Sequence, residues 1–277
     1  DTGRTREATL AAERLTRRAD AATHCRQLAN SGRCLLDIEA DPVRGREMLE
    51  EAAALATELD LQVMEIEWGR GLIERAQGRL DAACDALARA VTLARLTGVH
   101  WRELECLVWL ATVELERGRY AEVQQRVAEI VDAAARMGEP QAPFAQALGA
   151  LARLRQGGHG AEDAEPLLAT SLQQLRELDD KAHLAYALNE SAALALAAGR
   201  RDAAAACAAE ALAAARAVHR PTEVAVALAA LVRTAADPAG AAEWLAQMPR
   251  DGGTARAEAA RAAAASALPT PAPTVAP

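Results

Sequence analysis

The sequence predicts an all-α fold, a solenoid of about six antiparallel helix hairpins. Three observations carry that expectation. A Gly-Arg pair followed by a short run is written three times, as "ERAQGRLDAA" at 74–83, "ELERGRYAEV" at 114–123 and "ALAAGRRDAA" at 195–204. The stretches flanking these pairs carry apolar residues at helical spacing. Finally, 51% of the 277 residues are hydrophobic but only 3% are aromatic. Much of the apolar content is therefore alanine, which favours helix and buries little area per residue. Such a chain needs many close helix–helix contacts, and the scarcity of proline before the C-terminal tail permits long helices.

The elements follow from the anchors Gly78, Gly118 and Gly199. Their gaps are 40 and 81 residues, so a missing anchor is expected near 159, where "QGGHGAED" stands. Further steps reach Asp237 in "AADPAG" and Ala40 in "EADPVRG", giving six anchors 38 to 41 residues apart. Steps of that size suit paired-helix repeats. Small or slim residues recur seven before the anchors (Gly71, Ala111, Ala152, Ala192, Ala230) and five after (Ala83, Val123, Ala164, Ala204, Ala242), where two helices must approach closely. Residues 1–22 are expected to hold a capping helix or the end of an upstream domain. Residues 23–250 form the array. In its first hairpin Pro42 starts the second helix. In the third, Leu104, Leu107, Val108, Leu110, Ala111 and Leu115 make one apolar stripe, and Val123, Val127, Ile130, Val131 and Ala134 the other. Between them glycine suits the turn, because it tolerates positive φ at a helix C-terminus. The fourth junction, "GGHGAEDAEP", is expected to be the loosest. Residues 251–277 hold an alanine-rich last helix and the proline-rich, disordered tail "LPTPAPTVAP". A lone hairpin cannot cover its apolar faces, so stacking stabilises each one.

A net charge of −8 argues against nucleic acid or an anionic membrane as the direct partner, since both need a basic face. The five cysteines are scattered and form no C-x-x-C, so they are expected to be reduced core residues. With no charge-free run of about 18 residues and no signal-like N-terminus, a cytoplasmic protein is expected. A start at Asp1 fits a piece of a longer chain. No H-E-x-x-H, G-x-S-x-G or G-x-x-x-x-G-K-[ST] is present, and "GRG" at 69–71 lacks the third glycine of a dinucleotide fingerprint. The adjacent His24 and Cys25 point in different directions on a helix. The pairs Glu65/Glu67 and Glu103/Glu105 read as solvated faces or arginine partners. No catalytic residue, metal ligand or cofactor is expected, and the chain reads as a non-enzymatic binding scaffold.

The pattern G-x-x-x-x-A with paired helices resembles the tetratricopeptide superfamily. The 40-residue step and "GRLDAACDALARAVTLARLTG" are similar to its longer MalT-type variant. "ANSGRCLLDIEADPVRGREMLEEAAALA" looks like the opening of the C-terminal array of bacterial signal-transduction ATPases. The likeness covers about residues 23 to 248. It implies a right-handed superhelix whose concave groove, lined by the first helix of each hairpin, takes a protein, a peptide or a small-molecule inducer. It also implies the sensor or docking part of a bacterial signalling or transcription-regulatory protein; a stand-alone adaptor or assembly scaffold is the alternative. By the same resemblance the groove positions fall on Gln27, Asn30 and Asp37, on Glu65, Trp68 and Arg75, on Glu105 and Thr112, on Gln146 and Arg153, and on Tyr186 and Asn189. Their amides suit a peptide backbone, arginine a carboxylate, and Trp and Tyr an apolar anchor. The family's carboxylate clamp uses lysine, and Lys181, the only lysine, stands at none of these positions. Of the remaining tryptophans, Trp101 is expected to plug a gap between repeats, Trp109 to pack in the core, and Trp244 to close the last helix pair.

Overall fold

The computed structural model describes residues 2–16, 19–138, 142–157, 161–249 and 253–267. The expected anchor at His159 with Gly158 and Gly160, Gly252, and the tail from 268 onward lie outside the described residues. Among those described the protein is all helical, with close helix–helix packing and no strand. The helices are α1 (Thr2–Thr16), α2 (Ala21–Asp37), α3 (Pro42–Glu58), α4 (Met64–Ala76), α5 (Leu80–Thr97), α6 (His100–Glu116) and α7 (Tyr120–Arg136). There follow α8 (Pro143–Gln156), α9 (Ala161–Glu177), α10 (Lys181–Ala197), α11 (Arg201–Ala217), α12 (Pro221–Thr234), α13 (Pro238–Ala246) and α14 (Ala255–Ser266).

The Gly-Arg pairs acquire a physical role at the helix ends. Gly78, Gly118 and Gly199 have φ of +75°, +74° and +71°. The arginine that follows each donates its backbone N–H to a carbonyl five residues back: Arg79 to Glu74, Arg119 to Glu114, Arg200 to Ala195. That is the six-to-one bond of a Schellman cap, which needs a left-handed residue just before the donor. The same bond recurs without glycine, with Glu39, Asp60, Asp179 and His219 at φ of 51° to 55°, as Ala40 to Leu35, Leu61 to Ala56, Asp180 to Leu175 and Arg220 to Ala215. The left-handed residue of the first turn is thus Glu39, one before the anchor expected at Ala40. Some helix starts carry side-chain caps. The carboxylates of Asp20, Asp41, Asp180 and Asp237 accept the amides of Thr23, Arg44, His183 and Gly240.

Consecutive helices from α1 to α13 pack side by side, and α2 with α4, α6 with α8, α8 with α10 and α10 with α12 meet as alternate neighbours. Two apolar cores result. The smaller lies between α2 and α3 and takes Val63 and Ile66, and the larger runs from α4 to α14. Helix α1 is tied on by the Arg6–Asp41 ion pair at 2.7 Å and by the Ser31 hydroxyl donating to the Thr9 carbonyl at 3.3 Å. Two long-range bonds bring the α2–α3 turn against the start of α12. The Arg220 guanidinium donates to the Asp37 carbonyl, and the Thr222 amide donates to the Glu39 carboxylate at 3.1 Å. Helix α14 folds back to pack on α12 and reaches α4. Trp101 does not plug a gap: 47% of it is exposed, and it lies beside the Arg102 guanidinium, 5.2 Å from the ring centroid.

Candidate ligand-binding site

Where the α2–α3 turn meets α12, a cavity of about 190 Å³ opens between α6, α10 and these two segments. Its apolar wall comes from Trp109 on α6, Phe144 at the start of α8 and Tyr186 on α10. Its polar rim comes from Asp37, Glu39, Glu105, Arg220 and Glu223, with Arg75 of α4 alongside.

Each wall residue is held by a partner. Phe144 stacks on His183 with centroids 4.0 Å apart and meets Tyr186 edge-on at 5.9 Å. His183 is oriented by Asp180, whose carboxylate lies 2.7 Å from the ring Nδ1. Burial works against the Asp180 carboxylate, yet the His183 contacts and the Arg220 charge outweigh it and hold the pKa below its ordinary value. Trp109 faces the Arg75 guanidinium, 5.1 Å from its ring centroid. Arg75 in turn binds Glu116 through Nε at 3.0 Å and Nη2 at 2.7 Å, a planar fork that fixes both side chains. Burial disfavours the Arg75 charge, but Glu116 overrides it and the net pKa shift is upward. The Tyr186 hydroxyl also donates to Glu116, at 3.3 Å, and burial with the neighbouring Glu116 and Glu190 carboxylates raises its pKa well above normal. On the rim, burial pushes the Glu39 carboxyl up against the pull of the Thr222 amide and Arg220. This is a pocket with an aromatic wall facing mixed charge.

The residues singled out from the sequence divide into two sets. Arg75, Glu105, Thr112 and Tyr186, with Asp37, line this cavity. The others do not. Trp68 is 1% exposed, in the core, beneath the Arg33 guanidinium 4.1 Å from its ring. Glu65 is buried and paired with Arg102 at 2.5 Å. Asn189 is also buried, its amide donating to the Glu223 carbonyl at 3.0 Å and carboxylate at 2.8 Å. These three are inaccessible where open groove positions were expected. Gln27 donates to Ser31, and Asn30 accepts from Arg33. Gln146 and Arg153 are half-buried, and the Arg153 Nε has no hydrogen-bond partner among the described residues.

Sequence reasoning missed Trp109, Phe144, His183, Arg220 and Glu223. It also missed Arg256 of α14, whose guanidinium enters the same region and lies 4.8 Å from the Tyr186 centroid. Trp109, expected to pack in the core, does pack against the larger core as a half-buried side chain, and it also lines the cavity. Among the described residues, no group of three or more His, Cys, Asp or Glu stands where it could hold a metal ion. No described helix is long and apolar enough to cross a membrane.

No family model matches the chain, and no curated protein matches it. Among solved structures it is similar to one described as "Crystal structure of BtubC (BKLC) from P. vanneervenii", at 17% identity and a TM-score of 0.38, over 100% of this chain and 97% of that one. A likeness of that size says nothing about what this chain binds.

Proposed function

We propose that this chain is a non-enzymatic binding domain, a right-handed tetratricopeptide-like solenoid of six helix hairpins. In this reading it serves as the sensor or docking part of a signalling or regulatory protein. The observation that carries the reading is the cavity walled by Trp109, Phe144 and Tyr186 and rimmed by charged residues from both ends of the array. An apolar cavity of about 150 Å³ takes a benzene ring, so this one has room for a single ring from a small molecule or from a partner's side chain.

The test is ligand-observed NMR with indole, tyramine and benzamidine as probes, against the wild-type chain and Ala182→Trp. Ala182 lines the cavity and is half-buried, so the larger side chain fills it from within. At least one probe should bind the wild type and bind the variant at least tenfold more weakly. Equal binding to both, or no binding to the wild type, overturns the reading.

A further inference from the structure

Helix α14 is an unusual element to find beside a binding cavity. It has 12 residues, and only Ala257 and Ala264 among them are fully buried. A helix of that length is marginal alone, and alanine contributes little apolar area. Its firmest hold is one side chain. The Arg256 guanidinium meets Glu190 at 2.6 Å, Glu223 at 3.4 Å and Glu116 at 3.7 Å, and it lies over the face of Tyr186. Three carboxylates from α10, α12 and α6 thus converge on this cation, Glu190 being shared with Arg155 and Glu116 with Arg75. Burial disfavours that charge, yet the carboxylates raise the Arg256 pKa well above its normal value. Beside them the Asn189 Oδ1 is buried with no hydrogen-bond partner among the described residues, although its amide group holds Glu223. The surface under α14 therefore receives an arginine, with the Asn189 Oδ1 as one further acceptor beside it. None of the residues lining the aromatic cavity belongs to α14.

We propose that α14 is an intramolecular occupant of a protein-docking surface, and that the external ligand is a partner helix carrying one arginine in the place of Arg256. This rests on the binding reading above and names the chemistry of the partner. A partner helix that also sends an aromatic side chain into the neighbouring cavity gains apolar burial that α14 forgoes. That difference is what lets an outside helix displace one tethered to the same chain, whose tether gives it a high effective concentration.

The experiment uses the full chain and a fluorescent peptide of residues 253–267, added to the wild type, to Arg256→Ala and to Arg256→Met. The methionine variant keeps most of the stem and serves if the alanine chain folds poorly. The internal helix should lose its hold in both variants, so amide exchange within 255–266 should speed up at least tenfold. The peptide should bind these variants at least tenfold more tightly than it binds the wild type. A peptide with Arg256→Ala should fail to compete. Unchanged exchange in α14, equal peptide binding to all three chains, or equal competition by the arginine-free peptide each overturns the proposal. If the ring probes still bind the cavity, such a failure removes only the role of α14 and leaves the binding reading standing.

Discussion

Gly32 on α2 and Gly45 on α3 face each other so closely that neither has room for a side chain. A methyl at Gly32 would stand 2.7 Å from the Gly45 carbonyl oxygen, and one at Gly45 would stand 2.9 Å from that of Gly32. Both obstacles are backbone, so the helices themselves must part. Gly32→Ala should cost about 1–3 kcal/mol, the range for overpacking a filled interface. Gly149→Ala is the contrast: its nearest neighbours are Val127 methyls at 3.4 and 3.5 Å. With an ordinary contact and a better helix former, that variant should lose nothing and gain up to about 1 kcal/mol. Chemical denaturation of both variants gives the comparison.

Trp68→Ala should act through folding and not through recognition. The ring is fully buried, and removing a buried Trp costs about 3–5 kcal/mol. The ring probes should bind the folded fraction of this variant with unchanged affinity, because Trp68 does not line the cavity. Lost probe affinity at unchanged stability would contradict the placement.

Glu114 should cost the protein stability as the pH rises from about 4.5 to about 7. Its side chain is 9% exposed, its Oε2 has no hydrogen-bond partner, and the Arg126 Nε approaches only to 3.6 Å. Burial pushes the carboxyl pKa from 4.5 up to about 7, against the opposing pull of Arg126. Between those values the folded chain holds a proton that the unfolded chain has released, so stability falls as pH rises through this window. Glu114→Gln removes the effect. At pH 8 the variant should exceed the wild type by about 3 kcal/mol, with the difference vanishing near pH 4. A difference that does not vary with pH would count against this account.

The thiols should separate into two classes. Cys25, Cys84 and Cys106 are buried, while Cys34 and Cys207 are half-buried. Burial pushes the Cys106 thiol up to about 12 and raises the other four. The thiolate is the reactive form, so a disulfide reagent at pH 8 should modify Cys34 and Cys207 first. The other three should react only after denaturant is added, which peptide mass spectrometry resolves. Early labelling of Cys106 would refute this.

The helix ends were legible in the sequence because capping is local. A glycine at positive φ and the next residue's amide suffice to close a helix, and Gly78, Gly118 and Gly199 announce themselves. Glu39 was not legible, because the same conformation there is imposed by the surroundings on a residue that does not signal it. The binding face was readable only in part, since one residue turns a helix by about 100°. Arg75, Glu105, Thr112 and Tyr186 fell on the cavity, whereas Trp68 fell into the core and Trp109 packs against the core while also lining the cavity beside Arg75. The return of α14, and the meeting of Asp37 with Arg220, depend on the summed geometry of all the helices between them. No local pattern encodes that sum.

The two hydrogen bonds between the α2–α3 turn and the start of α12 bridge 183 residues. A chain whose helices touched only their sequence neighbours would fray from its termini, each unit melting with its own midpoint. Tying Asp37 to Arg220 and Glu39 to Thr222 removes that freedom, because the early hairpins cannot peel away without releasing the late ones. The molecule should then behave as a buckled strap, melting in one step and resisting being pulled open until the buckle itself gives.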